Sequence, residues 1–311
     1  MGFLQCLSAV CSLGLVCLAG LAIVKTRLLP ESFKTALPKL VTYVALPPYL
    51  FHSIVTTMDS SELAGFLAGT FVPFASIFLS FATAWALGKM FHVKHFHSGL
   101  YLSSFSTSSA IFIGIPICEA LCGTEGIPYA LLYYFANATF FWTIGSYLII
   151  RDGSTKAERI TVRKFFRNLL SPPFLGFFAG LLFALFGWRL PEFCMRALHT
   201  VGQLTTPLSL IFIGISLADM RLTRECLSRD LLLASAGRLA ISPLIMAAVV
   251  ALCGVKGVMG TIFILQSALP AVMQAAILSA NYKTDPEFGT LIVSLTTLLS
   301  ILTVPLVMSL I

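Results

Sequence analysis

Charged residues are scarce in this chain, and their scarcity excludes most classes of soluble protein. Only 11% of its 311 residues are Asp, Glu, Lys or Arg, whereas 58% are hydrophobic and the mean hydropathy is +0.93. Soluble domains contain about 25% charged residues. Because a chain this apolar cannot hide its hydrophobic side chains in one water-exposed domain, the composition predicts an integral membrane protein.

The sequence also lacks the residue patterns of enzymes, cofactor sites and metal sites. It contains no nucleophile beside a base, no phosphate-binding loop and no cluster of metal-ligand residues. The eight cysteines lie mostly in or beside apolar runs, where we expect small buried hydrophobic residues and no disulfide framework. His92, His95 and His97 lie among lysines in the motif HVKHFH, without acidic or thiol partners, so we expect a basic interfacial loop. We predict no enzyme activity, no cofactor and no metal site.

Apolar runs of about 20 residues, the length that a spanning helix needs, recur along the whole chain. The first positive charge, Lys25, follows the first run, which argues against a cleaved signal peptide and for an N-terminus outside the cell. We therefore predict an all-α integral membrane protein with ten transmembrane helices. The predicted spans are residues 3–24, 36–57, 64–88, 98–121, 126–150, 170–188, 193–218, 231–252, 256–280 and 287–310.

Basic residues are distributed unequally between alternate loops. One set of loops contains sixteen of the 20 Lys and Arg residues, and the other contains only Arg189, Arg196 and Lys256. The positive-inside rule places the first set in the cytoplasm and both termini outside, as in a multi-pass protein of the plasma membrane. Topology thus accounts for the net charge of +7. We predict no nucleic-acid partner, although the basic loops can attract anionic membrane lipids.

The longest connection separates two halves of five spans each, and five spans give the halves opposite orientations. Their prolines occupy matching positions: Pro47 and Pro207 in the second span of each half, Pro116 and Pro270 in the fourth. Matched interruptions in inverted halves point to a transporter's binding site, whereas isolated prolines in membrane helices are often simple kinks. The predicted units are a first repeat, a cytoplasmic linker and a second repeat, at residues 1–150, 151–168 and 169–311.

Proline inside a helix frees the carbonyl four residues earlier, so Pro116 and Pro270 would free those of Phe112 and Gln266. Such breaks persist in a membrane only where protein or a water-filled cavity supplies hydrogen-bond partners. Two broken helices crossing near mid-membrane would also offer half-helix N-termini with partial positive charge. Hydroxyl and amide side chains near the breaks are expected to line a polar cavity, unless the hydroxyls bond back to their own helix. These are Ser103, Ser104, Ser106, Thr107, Ser108, Ser109, Gln266, Ser267 and Gln274.

Several segments resemble the auxin efflux carrier family over nearly the whole chain. SSFSTSSAIFIGIPICEALCGTEGIPYALLYYFANATFFWTIGSYL is similar to its fourth and fifth spans, TPLSLIFIGISLAD to its seventh and LPKLVTYVALPPYLFHSI to its second. QSALPAVMQAAILSANYKTDPEFGTLIVSLTTLLSILTVPLVMSL is similar to its last two. The family comprises plant PIN-type auxin carriers and bacterial permeases for malate, malonate and related acids.

The resemblance implies a 5+5 inverted repeat like that of sodium–bile acid symporters, with crossed broken helices 4 and 9. Spans 1, 2, 6 and 7 would form a scaffold, and spans 3–5 and 8–10 a moving transport core. One position departs from the family pattern: Ser109 stands where asparagine is frequent. Since a hydroxyl offers fewer hydrogen bonds than a carboxamide, substrate identity does not carry over.

Polar residues inside the predicted spans have both functional and structural interpretations. Arg238 would hold an anionic substrate or cap helix carbonyls. Glu119 would carry a coupling proton or mark the water interface, and Asn137 would contact substrate or bond a neighbouring helix. His52 and His199 are expected to be lone histidines bonded within the bundle. The candidate substrate-binding residues are Ser108, Ser109, Gly114, Pro116, Asn137, Gln266, Pro270, Gln274 and Arg238.

These observations predict a secondary active transporter for a small organic anion, a di- or monocarboxylate or an auxin-like acid. It would work by alternating access at the crossing of spans 4 and 9. No ATP-binding sequence is present, so a proton or Na⁺ gradient, or uniport along the electrical gradient, remains as the driving force. A membrane ligand sensor and a Na⁺-coupled importer of an amphipathic acid are the alternatives. A homodimer is also compatible with the sequence.

Overall fold

The computed structural model describes residues 3–57, 68–153, 172–218 and 228–310, and these ranges contain helices joined by short connections and no β-strand. The acidic loop at residues 58–62, linker residues 154–168, and Arg221 and Arg224 lie outside the described residues. In the first half the helices are α1 (Phe3–Thr26), α2 (Ser32–Leu40), α3 (Leu46–Thr57), α4 (Phe71–Met90), α5 (Ser98–Ser106), α6 (Gly114–Cys122), α7 (Ile127–Phe140) and α8 (Ser146–Arg151). In the second half they are α9 (Pro172–Phe186), α10 (Glu192–Gly202), α11 (Thr205–Ala218), α12 (Arg229–Ala236), α13 (Ser242–Leu252), α14 (Gly257–Ser267), α15 (Met273–Tyr282) and α16 (Pro286–Ser309).

The described helices are consistent with the predicted membrane protein. Among the described residues, four helical stretches are long and apolar enough to cross a bilayer, and several other apolar helices are shorter. Three breaks are π-helical turns within otherwise continuous helices, at Val41–Ala45, Phe141–Gly145 and Gly237–Ile241. The four spanning stretches are Phe71–Met90, Glu192–Ser216, Arg229–Leu252 and Pro286–Ser309.

Two larger breaks interrupt the predicted fourth and ninth spans. Residues 107–113 separate α5 from α6, and residues 268–272 separate α14 from α15. Pro270 lies inside its break, as expected. The expectation that Pro116 itself interrupts the fourth span is wrong, because Pro116 lies in the first turn of α6. Proline is tolerated there, since the first N–H groups of a helix have no intrahelical partner.

Helices α1 and α11 approach each other unusually closely, and two glycines allow it. A Cβ atom on Gly214 would lie 1.8 Å from the carbonyl oxygen of Cys17, and one on Gly20 would lie 2.0 Å from that of Ile211. Small residues let membrane helices pack backbone to backbone and gain van der Waals contact where no hydrophobic effect drives association. This pair joins the first predicted span to the seventh.

His97 connects the starts of α5, α12 and α16 through two carboxylates. The expectation of a basic loop without acidic partners is therefore wrong for this histidine. Its Nε2 lies 2.9 Å from Asp230 Oδ2 in α12, and its Nδ1 lies 3.0 Å from Asp285 Oδ2 at the start of α16. The imidazole also stacks on Phe288, with ring centroids 4.3 Å apart. The two aspartates are more than 130 positions away in sequence, so only the tertiary fold reveals them as partners. His92 and His95 do not join this cluster.

Gly20→Ala is expected to lower the stability of the protein, because the added methyl group must push the α11 backbone away. Overpacking of this kind typically costs about 1–3 kcal/mol. Gly14→Ala in the same helix is the matched control, since a Cβ atom there meets nothing within 4 Å. Thermal unfolding in detergent measures both. Equal melting temperatures for the two variants would contradict the close packing of α1 and α11.

The His97 cluster predicts a pH-dependent stability. Burial alone lowers the pKa of His97, but hydrogen bonds to Asp285 and Asp230 outweigh it and raise the pKa above the ordinary value of 6.5. Protonated His97, bonded to the two aspartates, therefore contributes its full stabilisation below about pH 6.5. This contribution is lost as the pH rises through the raised pKa of His97.

The stability difference between the wild type and His97→Gln should accordingly be largest at pH 5.5–6 and shrink towards pH 9. We expect His95→Gln to show no such trend, because His95 bonds no carboxylate in the described part of the chain. Thermal unfolding across this pH range measures both. A pH-independent difference for His97→Gln would show that its protonated form is not favoured by the fold.

Candidate functional site

The two large breaks lie against each other and pair through their backbones. The N–H of Ser109 donates to the carbonyl of Pro270 at 2.9 Å, and the N–H of Val272 donates to that of Thr107 at 3.3 Å. Ser108 and Ala271 thereby form an isolated antiparallel bridge. Backbone groups that leave a helix inside a membrane must find partners in the protein or in water. Each break here supplies partners to the other.

Neighbouring helices satisfy further backbone groups in the breaks. The Asn137 carboxamide in α7 accepts from the N–H of Ser108 and donates to its carbonyl, both at 2.9 Å. The Thr296 hydroxyl in α16 accepts from the N–H of Ala271 at 3.1 Å. The structure thus gives Asn137 the hydrogen-bonding role, and its predicted contact with substrate stays a prediction.

Thr296 is a residue that the sequence analysis missed. It lies ten residues after Pro286, where α16 begins, and Asn137 lies ten residues after Ile127, where α7 begins. The two side chains therefore lie at the same distance from the starts of their helices, and each bonds the backbone of one break. Comparing the fifth span with the tenth position by position would have identified Thr296, whereas the prediction compared only the prolines of the second and seventh spans and of the fourth and ninth.

Arg238 joins the carboxyl ends of α5 and α14, the two half-helices that precede the breaks. It is fully buried, its Nη1 donates to the Phe105 carbonyl near the end of α5 at 3.2 Å, and its Nη2 donates to the Ser267 carbonyl at the end of α14. Ser242 also donates to the Phe105 carbonyl, at 2.9 Å. Basic groups at helix C-termini satisfy unpaired carbonyls and oppose the negative end of the helix dipole.

No carboxylate in the described part of the chain pairs with Arg238. Its positive charge therefore faces carbonyl dipoles close to the paired breaks. This placement gives the side chain the carbonyl-capping role that the sequence left open. Direct contact with an anionic substrate stays a prediction.

The half-helices α6 and α15 begin directly after the breaks. The Ser109 carbonyl accepts from the N–H groups of Ile113 and Gly114, at 3.4 and 3.2 Å, and so caps the turn that leads into α6. The N–H groups of Ala110 and Phe112 in this turn have no backbone acceptor within the described ranges. An N-terminus with such N–H groups and a positive dipole end favours anions.

Buried polar atoms without partners accumulate beside this turn. Gln266 is fully buried, and neither its Oε1 nor its Nε2 has a hydrogen bond among the described residues; the same holds for the Ser109 hydroxyl. A Cβ atom on Gly114 would lie 2.4 Å from Gln266 Oε1, so glycine makes room for the carboxamide. Since nearly all buried polar groups in proteins are hydrogen-bonded, these atoms mark a place where water or a ligand is expected.

A small cavity of about 30 Å³ lies at the paired breaks. That volume holds one or two water molecules and no dicarboxylate. Of the seven hydroxyl residues expected to line a cavity, only Ser108 and Ser109 reach this one. Ser106 and Thr107 instead bond back to the carbonyls of Leu102 and Ser103. The polar residues that line it are Ser108, Ser109, Asn137 and Gln274, with Ala110 and Val272 among the apolar ones.

A much larger cavity, of about 810 Å³, lies beside Pro116 and Glu119. We call it the histidine cavity, because His52 and His199 line it with ring centroids 4.7 Å apart. The expectation of two lone histidines is therefore wrong: the packing of α10 on α3 brings them together. Thr206 of α11 donates to Glu119 Oε2 at 3.0 Å, which connects α6 to α11. The role of Glu119 in carrying a proton stays a prediction.

Arg238→Met is expected to destabilise the protein, because two charge-assisted hydrogen bonds to half-helix carbonyls are lost. Bonds of this type contribute about 1.5–3 kcal/mol each. Arg196→Met is the control: Arg196 forms an exposed pair with Glu192, and exposed pairs contribute roughly 0–1 kcal/mol. Thermal unfolding in detergent distinguishes the two. If Arg238→Met unfolds no earlier than Arg196→Met, the guanidinium does not stabilise the breaks.

Comparison with known proteins agrees with this architecture. The family model described as "Membrane transport protein" matches residues 6–308 of the chain. An uncharacterized transporter of Methanocaldococcus jannaschii is 25% identical over 285 residues, which cover 90% of each chain. An uncharacterized transporter of Methanothermobacter thermautotrophicus is 26% identical in an alignment of 316 positions that covers 98% of each chain.

A third relative carries a substrate in its name. A Rhizobium meliloti protein named "Putative malonate transporter" is 25% identical over 272 residues, which cover 85% of this chain and 82% of that protein. The family match extends over nearly the whole sequence, and the motifs that resemble auxin efflux carriers lie within it. The chain therefore belongs to the membrane transport protein family that includes the auxin efflux carriers.

Proposed function

We propose that this membrane transporter carries a small organic anion, by alternating access, through a site where the breaks of spans 4 and 9 meet. The observation that carries the proposal is the pairing of the two breaks beside an N–H-rich turn and the unpartnered Gln266 carboxamide. These groups can donate hydrogen bonds to a carboxylate. Arg238, behind the breaks, adds a positive potential without having to touch the substrate.

The proposed architecture is ten spans in a 5+5 inverted repeat with crossed spans 4 and 9. Its support is the equal distance of Asn137 and Thr296 from the starts of their helices and the breaks at corresponding positions of the two halves. Loop charges favour a cytoplasmic central loop and both termini outside. Spans 1, 2, 6 and 7 then form the scaffold and spans 3–5 and 8–10 the moving core.

Alternating access requires this core to move against the scaffold. The hydrogen bond between Thr206 and Glu119 would join the two bodies, so it must break during the movement. The histidine cavity touches both bodies and reaches Pro116, which makes it the access route on one side. The cavity at the breaks must widen to admit substrate, because about 30 Å³ is too small for any of the acids considered.

The proposed substrate class is a mono- or dicarboxylate, in agreement with the name of the Rhizobium relative. A carboxylate suits half-helix N-termini and amide donors, because both present N–H groups without requiring a paired cation. The driving force is a gradient of H⁺ or Na⁺, or the membrane potential acting on the anion itself. Glu119 is the candidate proton carrier.

The decisive experiment measures charge movement in proteoliposomes on a solid-supported membrane. Malonate, malate, succinate and indole-3-acetate are added separately, each with and without Na⁺, and uptake of labelled acid is measured in parallel to detect electroneutral transport. We expect saturable transport of one of these acids. No current and no uptake for any of them would contradict the proposal.

Gln266→Met tests the site itself. Methionine has a similar size and removes both unpartnered polar atoms, so we expect equal or higher thermal stability together with loss of most transport. Thr26→Val removes a polar hydroxyl from an exposed position at the end of α1, outside both cavities, and should keep transport. Unchanged transport in Gln266→Met would show that the substrate does not use this carboxamide.

A further inference from the structure

A groove of about 760 Å³ lies between the ends of α4, α5 and α8, apart from the paired breaks and the histidine cavity. We call it the basic groove. Four residues that carry or can gain a positive charge lie on it, and most of its wall is formed by aromatic and aliphatic side chains. The basic residues are Lys89, His92, His95 and Arg151; the apolar residues include Phe81, Ala82, Trp85, Leu102 and Leu148.

The charges of the basic groove are largely uncompensated. In the described part of the chain no carboxylate pairs with Lys89, His92 or His95. Lys89 instead lies over the Trp85 ring, with Nζ 4.0 Å from the ring centroid. Such a cation remains available to an anion, because a cation–π contact does not neutralise it.

Arg151 is partly compensated. It bonds Asp152 Oδ1 at 2.8 Å, while Asp152 Oδ2 accepts from Ser98 and from the N–H of Gly99. Asp152 is thus engaged in holding the start of α5, and the Arg151 side chain remains 44% exposed. Both Ser98 and Arg151 line the groove, so a hydroxyl and a guanidinium face the same space.

A buried polar atom adds a second, independent sign of a ligand. Tyr101 lines the groove, is only 1% exposed, and its hydroxyl has no hydrogen-bond partner among the described residues. An unpartnered buried hydroxyl costs about 1–3 kcal/mol. A ligand oxygen in the groove would supply the missing partner.

The combination of a basic rim with a long apolar wall suits an amphiphile with an anionic headgroup. Trp85 is 51% exposed, as is usual for a tryptophan in contact with lipid near the membrane surface. The groove belongs to the basic set of loops, which the positive-inside rule assigns to the cytoplasmic leaflet, where anionic lipids are found. We propose that the basic groove is a binding site for one anionic phospholipid, with its phosphate at Lys89 and Arg151 and an acyl chain along Trp85.

This site does not depend on the proposed transport function, because it lies within spans 3–5 and away from the breaks. Native mass spectrometry tests it on the detergent-purified full-length protein, titrated with phosphatidylglycerol or with phosphatidylcholine of the same acyl chains. We expect one phosphatidylglycerol to be retained with at least tenfold preference. Soluble glycerol phosphate, which has the headgroup charge without the acyl chains, should not bind.

Lys89→Gln/Arg151→Gln should weaken phosphatidylglycerol binding roughly 25- to 30-fold, and Lys89→Gln alone about fivefold, from the typical attraction of one basic residue for an anionic membrane surface. Ala82→Trp, which fills the apolar wall and leaves the charge unchanged, should also reduce binding. Lys25→Gln/Lys39→Gln removes two exposed basic residues of the same predicted face outside the groove and is the matched control.

Three results would overturn the proposal. Equal retention of the two lipids would show that charge does not select the ligand. Equal weakening by the control pair would show that only the general surface charge matters. Binding of glycerol phosphate as tight as that of the lipid would show that the groove recognises a soluble phosphate compound. If the double variant does not fold, Lys89→Gln and Ala82→Trp decide the question alone.

Discussion

Backbone hydrogen bonding at the two helix breaks is the constraint on which the rest of this structure depends. A membrane helix that unwinds exposes N–H and C=O groups whose desolvation costs several kcal/mol each. Here the two breaks pair with each other, and Asn137 and Thr296 complete the pairing from α7 and α16. Polar contacts, and not hydrophobic packing alone, therefore hold the predicted spans 4, 5, 9 and 10 in one arrangement.

The carboxyl ends of α5 and α14 leave carbonyl groups without partners in their own helices, and Arg238 donates hydrogen bonds to both ends. A fully buried arginine is ordinarily expensive, but carbonyl dipoles at two helix ends offset part of its desolvation. One side chain therefore couples α5 to α14, and the π-helical turn at Gly237–Ile241 is the segment that presents it. Gly237 is also required there, because a Cβ atom would lie 1.9 Å from the Phe105 ring.

The two breaks pair through backbone hydrogen bonds, whereas some buried side-chain polar atoms in the described part of the chain have no hydrogen-bond partner. Gln266, Ser109 and Tyr101 are among the described residues that have buried polar atoms without a hydrogen-bond partner, and these three occur at two separate places. Proteins commonly retain such local costs where function requires them. The first place lies at the breaks, where we propose the substrate, and the second lines the basic groove, where we propose a lipid headgroup.

The sequence by itself determined the membrane class, the helical content and the location of the two breaks to within a few residues. Composition and run length are local properties that lipid selects directly, and the repeated prolines and hydroxyls mark unwinding without reference to any partner. The family resemblance was likewise readable from short motifs in their order.

Only the tertiary structure decided which groups meet. His97 with Asp230 and Asp285, His52 with His199, and Arg238 with two distant carbonyls are contacts across many positions in the chain, and no spacing rule connects them. The position of the fourth-span break relative to Pro116 also required the fold, because a proline can start a helix as readily as end one. The local sequence thus determines where the helices of this chain break, and tertiary packing determines which polar groups hydrogen-bond to the backbone at those breaks.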